Sequence, residues 1–237
     1  MANFETHFQS SIITSAAFSS TILATSIANP FDAFILFIIG SLSGLLPDLD
    51  ADKSRSLNSL FSVFSLCAAI GLPLMISFDS LLTLWGSAVC VYIVLMYMVK
   101  PLFESLTVHR GAMHSLLFVL MCSLISIHLA LFIGRPLSFS VLLSLSVCIG
   151  MLTHLILDEC YSVDISNNEL KASFGSALKP IALNAPWVSL IQLSIIGVAI
   201  YLLIPYQEQL LSIVHSWHYK LVAVPLMPNV EALKSWV

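Results

Sequence analysis

The chain has 237 residues, of which 58% are hydrophobic and only 9% are charged, whereas about a quarter of the residues of an ordinary soluble domain are charged. Its mean hydropathy of +0.97 and its apolar stretches along the whole length exclude a soluble globule and a disordered protein. They indicate a single integral membrane domain over residues 1–237, with the phospholipid bilayer as its partner. The formal net charge of −4 predicts no nucleic-acid partner, because no basic surface is available for phosphates.

Seven mostly uncharged stretches approach the length of about 20 residues that an apolar helix needs to cross the hydrocarbon core. The sequence therefore predicts an all-α fold, a polytopic transmembrane helical bundle with about seven spans, within a range of six to eight. The first stretch is the weakest, because seven of the seventeen residues from Ile12 to Ala28 are Ser or Thr. The predicted spans are Ser11–Ala28, Phe31–Leu46, Leu60–Phe78, Leu81–Val99, Ser115–Ile133, Phe139–Leu157 and Trp187–Ile204.

If successive connections between the spans lie alternately on the two faces of the membrane, the basic residues are divided unequally between these faces. The face that carries the N-terminus receives Lys53, Arg55, Lys100, Arg110, Lys171 and Lys179, and the other face receives Arg135, Lys220 and Lys234. The excess of Lys and Arg predicts that the first face is cytoplasmic. A polar loop over residues 158–186 is expected to cap one mouth of the bundle. The C-terminal tail, residues 205–237, is expected either outside the membrane or along its interface as an amphipathic segment.

Ionisable residues at the span ends fall on that same lysine-rich face. Asp48 and Asp50 end the second span, His109 and His114 open the fifth, and a third segment closes the sixth with His154 and Asp158; His7 precedes the first span. Intramembrane ionisable clusters are functional more often than not, so their convergence predicts a site on this face.

The spacing of these residues suits metal binding. His154 and Asp158 are four residues apart on a helix and so share one side. Pro47 should place Asp48 and Asp50 in an extended or turn conformation with both side chains pointing the same way, and His114 should lie in about the first turn of its helix. Imidazoles and carboxylates without thiolate favour Zn, Mn, Fe or Mg.

The number of candidate ligands exceeds what one ion normally uses. One or two divalent ions are therefore predicted, and two ions about 3.5–4 Å apart would clamp the oxygens of a displacement at phosphorus. Arg110 is placed to hold a phosphate oxygen and to stabilise the charge that develops there, and Asp50 is the expected general base. The predicted metal ligands are His7, Asp48, Asp50, His109, His114, His154 and Asp158.

Three segments resemble the signatures of the bacterial YdjM-like membrane-bound metal-dependent hydrolases. They are L-P-D-L-D at 46–50, H-R-G-A-M-H-S at 109–115 and T-H-L-I-L-D at 153–158, which are similar to the family's L-P-D-I-D-H, H-R-G-x-T-H-S and S/T-H-x-x-x-D. A His shortly after the initiator Met is also usual in the family and matches His7. Two positions depart from the pattern, since Ala51 replaces a His and Met113 replaces a Thr.

The resemblance covers about residues 1–165, which we treat as the motif-bearing core. It implies a multi-pass protein of the bacterial inner membrane and metal ligation by Asp48, Asp50, His114, His154 and Asp158. It further implies involvement of His7 and His109, with Arg110 orienting the substrate, so that Asp50, Arg110 and His109 form the candidate catalytic set. The implied activity is metal-dependent hydrolysis. The two-ion chemistry and the position of the site at the membrane surface predict a phosphoester or a lipid headgroup as the substrate, attacked by water that the metal activates.

Two other classes of protein remain open. A divalent metal-ion transporter or channel also uses His and Asp on helices, although such ligands usually lie near the bilayer midplane. A scaffold could use the metal only to hold helices together, and removal of the metal would then unfold it. Two further features predict helix packing alone: His128 in the middle of the fifth span, and Gly40 and Gly44 as a small-xxx-small stripe.

Overall fold

The computed structural model describes residues 3–50, 55–74, 78–102, 112–164, 169–170, 175 and 178–225. These residues form a helical bundle, which confirms the all-α prediction, and every predicted span is a helix. The helices are α1 (Phe4–Ala24), α2 (Pro30–Ser43), α3 (Arg55–Leu74), α4 (Leu81–Val94, extended by a π-helical turn Leu95–Val99), α5 (Leu116–Phe132), α6 (Leu137–Tyr161), α7 (Pro186–Leu203) and α8 (Gln207–Ala223). Short 3₁₀ helices occupy Leu46–Asp50 and Ile204–Tyr206, and a two-stranded antiparallel pair joins Val163–Asp164 to Glu169–Leu170.

Three helical runs are long and apolar enough to cross a membrane by length and composition. They are Leu81–Leu102, Leu137–Tyr161 and the run Pro186–Ala223 that contains α7 and α8. Shorter apolar helices lie at Pro30–Ser43, Leu57–Gly71 and Leu116–Phe132. Helix α1, whose run is diluted by Ser and Thr, is in neither group.

Several helix ends differ from the predicted spans because polar caps decide them. Helix α1 begins seven residues before the predicted Ser11, since the Asn3 side chain accepts a hydrogen bond from the Thr6 amide at 2.8 Å. Helix α2 begins where Asn29 caps the Asp32 amide, and it ends at Ser43 before Gly44. Hydrophobic length alone does not reveal such caps.

Helices α1, α2 and α6 approach one another closely at glycine residues. A Cβ on Gly44 would overlap the Ser11 hydroxyl, and a Cβ on Gly150 would overlap the Gly40 carbonyl oxygen. Small residues at i and i+4 let helix backbones approach in this way. The structure thus confirms the predicted packing role of Gly40 and Gly44.

The remaining helices surround this three-helix core. His128 of α5 makes a 2.9 Å hydrogen bond with the Ala199 carbonyl of α7, as expected for a helix-packing histidine. Helices α3 and α4 form a hairpin beside the Leu46–Asp50 turn, and no residue of α4 within 81–94 is buried. The loops after α1 and α5 lie at the same end of the bundle, where Arg135 pairs with Asp32 and stacks on the Phe139 ring.

Candidate metal centre

Four separate elements bring five side chains together at the other end of the bundle. His7 lies near the start of α1, Asp48 in the 3₁₀ turn after α2, and His114 in the turn before α5, while α6 contributes His154 and Asp158 near its C-terminal end. We call these five residues the His/Asp cluster. Three of its members, His7, His114 and His154, are at most 2% exposed.

The imidazoles and carboxylates alternate within the cluster. His154 Nε2 lies 3.4 Å from Asp48 Oδ1 and 3.6 Å from Asp158 Oδ2. His114 Nε2 lies 3.6 Å from each of the same two oxygens. Two ligand atoms that each lie about 2.1 Å from a tetrahedral ion are about 3.4 Å apart, so these four separations match the edges of a tetrahedral metal site.

The His154 ring is oriented by the backbone of α2. Its Nδ1 donates a hydrogen bond to the Gly44 carbonyl oxygen at 2.6 Å. Because that oxygen can only accept, Nδ1 carries a proton, and in the neutral tautomer Nε2 is then the nitrogen that can bind a cation. Metal-binding histidines are commonly held through their second nitrogen in this manner. The absence of a side chain at Gly44 permits the approach.

Asp158 contacts histidines with both of its oxygens. Oδ1 lies 3.2 Å from His7 Nε2, and Oδ2 faces His114 and His154. The His7 ring also stacks on the His154 ring, with centroids 3.7 Å apart and planes 11° apart.

Buried atoms within the cluster lack hydrogen-bond partners. Among the residues that the structure describes, no donor or acceptor hydrogen-bonds to either carboxylate oxygen of Asp158, to His154 Nε2 or to His7 Nδ1. Leaving a carboxylate buried without a partner carries a large free-energy penalty. With neutral imidazoles the five side chains have a charge of −2, which one divalent cation would neutralise. The donor set therefore fits a divalent metal ion.

The electrostatic environment of Asp48 also favours binding of a cation. Burial by itself raises the pKa of this carboxyl group, but the neighbouring His114 and His154 outweigh burial and hold the pKa below its usual range. Asp48 is therefore ionised at neutral pH, in the form that binds a cation.

The turn that carries His114 is fixed by neighbouring elements. Ser115 caps α5, accepting a hydrogen bond from the Phe118 amide at 3.2 Å and donating one to the Ala112 carbonyl at 2.7 Å. Gln192 of α7 donates to that same carbonyl at 3.3 Å. The first amides of α5 bond to the carbonyls of Lys179 and Pro180, so part of the 158–186 loop lies against this turn.

The structure describes five of the seven predicted metal ligands and brings those five together. His109 and Arg110 lie outside the described residues, as does the side chain of Asp50. Of the extended or turn conformation predicted for Asp48 and Asp50, the backbone adopts a helical turn, because residues 46–50 form a 3₁₀ helix. The predicted common direction of the two side chains stays a prediction. His114 precedes α5 and does not lie in its first turn.

Sequence reasoning missed two groups that position the cluster. The Gly44 carbonyl cannot be recognised from a side-chain pattern, because its role depends on how α2 packs against α6. Gln192 did leave a signal: it is an amide within the apolar run 187–204, and it is 4% exposed. A buried polar side chain in such a run indicates an inward-facing contact.

Of three comparisons with known proteins, the one with protein families gives a match, and this match agrees with the motifs. No curated protein and no solved structure matches this chain. The family described as YdjM inner membrane protein matches residues 1–203, so the match extends beyond the motif-bearing core and includes α7. All five residues of the His/Asp cluster fall within the matched range. The chain belongs to the YdjM inner membrane protein family.

Proposed function

We propose that this protein is a metal-dependent hydrolase whose metal centre is the His/Asp cluster. The observation that carries the proposal is the buried Nε2 of His154, which lies 3.4 and 3.6 Å from two carboxylate oxygens while Nδ1 is held by the Gly44 carbonyl. A divalent cation placed among these three atoms would be attracted by all of them. When bound, a divalent ion supplies Lewis acidity for hydrolysis.

The protein's own residues would have distinct tasks in this reaction. Asp48, His114, His154 and Asp158 hold the ion, and His7 supports Asp158 through its second oxygen. In our proposal Asp50 removes the proton from the attacking water, while Arg110 binds a phosphate oxygen and stabilises the negative charge that develops on it. We assign to His109 the role of a ligand of a second ion or of an acid.

The proposed substrate is a phosphoester or a lipid headgroup. The His/Asp cluster lies at helix ends, where a headgroup can approach from the membrane and a soluble phosphoester from the aqueous side. The excess of Lys and Arg on this face makes it cytoplasmic in our proposal, within the inner membrane in which the family is described. Zn, Mn, Fe and Mg all suit imidazole and carboxylate ligands.

A transporter is the less favoured alternative because of what surrounds the cluster. The contacts of Ser11 with Gly44 and of Gly40 with Gly150 fill the space between α1, α2 and α6 directly beneath it. An ion leaving along these helices would have to separate them. The metal-scaffold alternative is tested by removal of the metal, which is treated in the Discussion.

The first experiment is elemental analysis of the detergent-purified protein after equilibration with metal. We expect one to two equivalents in the wild type and less than a tenth of that in Asp48→Asn and His114→Ala. Asp79→Asn and His215→Ala are matched controls, because they make the same chemical changes at exposed positions away from the cluster. These controls should retain the wild-type content.

The second experiment measures hydrolysis of soluble phosphomonoesters, phosphodiesters and phospholipids by the loaded protein in liposomes. Metal-dependent turnover that is lost in Asp48→Asn and kept in Asp79→Asn would support the proposal. An absence of bound metal in the metal-replete wild type would overturn it. Bound metal that moves across the liposome membrane, without turnover of any of these substrates, would favour the transporter.

A further inference from the structure

Helix α8 crosses the end of the bundle opposite the His/Asp cluster. Lys220 near its C-terminal end donates a hydrogen bond to the Ser26 carbonyl at 2.8 Å, in the loop between α1 and α2. Trp217 packs against the cluster of buried residues that contains Ile22 and Phe139. The first turns of α8 face Leu137, the first residue of α6. The helix thus reaches from the start of α6 to the end of α1.

This course requires a change of direction after α7. The helical run from Pro186 to Ala223 has 38 residues, and a straight helix of that length would extend about 57 Å, nearly twice the hydrocarbon thickness. Its second half would leave the bundle instead of contacting two loops at the bundle's end. The 3₁₀ turn Ile204–Tyr206 contains Pro205, which lacks the amide that continues a helix.

One side of α8 faces the protein. Tyr206, Leu210, Ile213 and Trp217 are partly buried, whereas the positions between them are exposed. Their spacing of three or four residues places them in one stripe along the helix. The remaining residues of α8 form two flanks, one on each side of this stripe, and all of them are exposed.

The two flanks differ in chemistry. At about 100° per residue, one flank collects apolar side chains that are 45–72% exposed, namely Leu211, Val214, Leu221 and Val222. Gln207, at the start of the helix, and His218 are the polar residues on this flank, and both side chains are amphipathic enough for the membrane surface. The other flank carries exposed polar side chains, namely Glu208, Ser212, His215, Ser216 and Tyr219. A helix surrounded only by water, or only by lipid, would have no reason to place its exposed apolar side chains on one flank and its exposed polar side chains on the other.

We infer that α8 is an interfacial helix that binds the lipid surface of the leaflet opposite the His/Asp cluster. Its apolar flank lies at the boundary of headgroups and acyl chains, its polar flank faces water, and its third side covers the ends of α1 and α6. At the same end of the bundle, Phe132 and Ile133 at the end of α5 are also strongly exposed apolar residues, at 84% and 62%. The inference does not depend on the proposed hydrolase activity.

The placement of α8 sets the depth of the metal centre. Leu137 lies beside α8, and the seventeen residues of helix from there to His154 rise about 26 Å. That distance approaches the hydrocarbon thickness of about 30 Å. With α8 at one membrane surface, the His/Asp cluster lies near the other surface, at the level of headgroups and away from the midplane.

Site-directed spin labelling in liposomes tests this inference. Single cysteines at Leu211 and Val214 on the apolar flank, at Ser212 and Ser216 on the polar flank, and at Ile213 on the protein-facing side are introduced after the five native cysteines are replaced by Ser or Ala. We expect collisions with oxygen at 211 and 214, collisions with a water-soluble nickel complex at 212 and 216, and few collisions of either kind at 213. Equal access of the nickel complex to all four flank positions, or oxygen preference at all four, would overturn the inference.

A second measurement keeps the native sequence, so that a folding defect of the cysteine-free chain cannot decide the result. A photoactivated carbene reagent dissolved in the lipid labels side chains in contact with acyl chains, and mass spectrometry of residues 207–223 locates the label. Modification at Leu211, Val214 and Val222 is expected at several times the level at Glu208 and Ser212. Equal modification of the two flanks would contradict the inference.

Discussion

At the scale of single residues, the surroundings of Asp158 suit a metal ligand better than a member of a simple ion pair. Its two oxygens make no hydrogen bond among the described residues, and they lie 3.2–3.6 Å from three histidines. A charge-assisted hydrogen bond between such groups is about 2.7–2.9 Å long. The longer distances leave room for an ion held by these groups, as the proposed metal centre requires.

We predict that Asp158→Asn changes stability in opposite directions with and without metal. In a chelator the substitution removes an uncompensated buried carboxylate, so the melting temperature in detergent should rise by several degrees. In the presence of metal it removes a ligand, so the variant should lose the stabilisation that metal gives the wild type. Asp79→Asn should be neutral in both conditions. A lower melting temperature of Asp158→Asn in chelator would mean that protonated histidines hold the carboxylate.

Gly44 is the residue on which the orientation of His154 depends. A Cβ there would overlap the Ser11 hydroxyl, so Gly44→Ala should destabilise the protein by about 1–3 kcal/mol, the usual range for overpacking. Gly71→Ala is the matched control, since a Cβ at Gly71 meets nothing within 4 Å. The double variant Gly44→Ala/Ser11→Gly should recover most of the lost stability in thermal melts. Failure to recover would place the cause outside this contact.

The residue scale also shows what the sequence can reveal about a site. Order and spacing were sufficient to single out His7, Asp48, His114, His154 and Asp158, because each stands at the end of an apolar run. The same reasoning allowed an extended or a turn conformation around Asp48, and only the structure shows that this segment is a 3₁₀ helix. The Gly44 carbonyl was beyond prediction, since a backbone acceptor becomes specific only through tertiary packing.

At the scale of helices, apolar runs predicted which segments are helical, and polar caps decided where the helices end. The runs from Leu81 and from Ser115 gave helices within a few residues of the prediction, because their ends coincide with N-capping serines. Helix α1 begins earlier because Asn3 caps it. The sequence left α8 either outside the membrane or along its interface. Its three-sided pattern can be recognised only when one side is known to face the protein.

The contact between α7 and the turn before α5 is an element-scale feature with a measurable effect. Gln192→Leu removes the amide that donates to the Ala112 carbonyl, next to His114. We expect metal affinity to fall by about 10- to 100-fold, as for other groups that orient a ligand indirectly, with far-UV circular dichroism unchanged. Competition with a fluorescent chelator measures the affinity.

Ser194→Ala is the control for this prediction. Ser194 is an exposed residue of the same helix, and its hydroxyl bonds only within α7, to the Leu190 carbonyl. The metal affinity of the Ser194→Ala variant should equal that of the wild type. Equal affinities of Gln192→Leu and Ser194→Ala would show that α7 does not position His114.

At the scale of the whole molecule, the His/Asp cluster and one apolar core occupy opposite ends of the bundle. That core contains Ile22, Leu36, Ala130, Phe139, Leu142 and Leu143 and receives Trp217 of α8. Its apolar contacts do not involve the cluster. The fold should therefore persist when the cluster is emptied.

We predict that chelation removes activity without unfolding the bundle. Helical circular dichroism should be unchanged after removal of the metal, while the melting temperature falls and recovers when a divalent ion is restored. A cooperative loss of helicity on chelation at 25 °C would instead identify a scaffold that depends on metal to fold. Circular dichroism and elemental analysis of the same samples distinguish the two results.

The distribution of the cluster along the chain also bears on how the protein is made. His7 emerges from the ribosome with the first helix, whereas His154 and Asp158 emerge only with the sixth. Until α6 has entered the bilayer and packed against α1 and α2, His7 has no partner at the site and the Gly44 carbonyl has no imidazole to orient. If the cluster holds metal as proposed, loading is a late event in biogenesis, and a chain arrested before residue 154 would reach the membrane without that site.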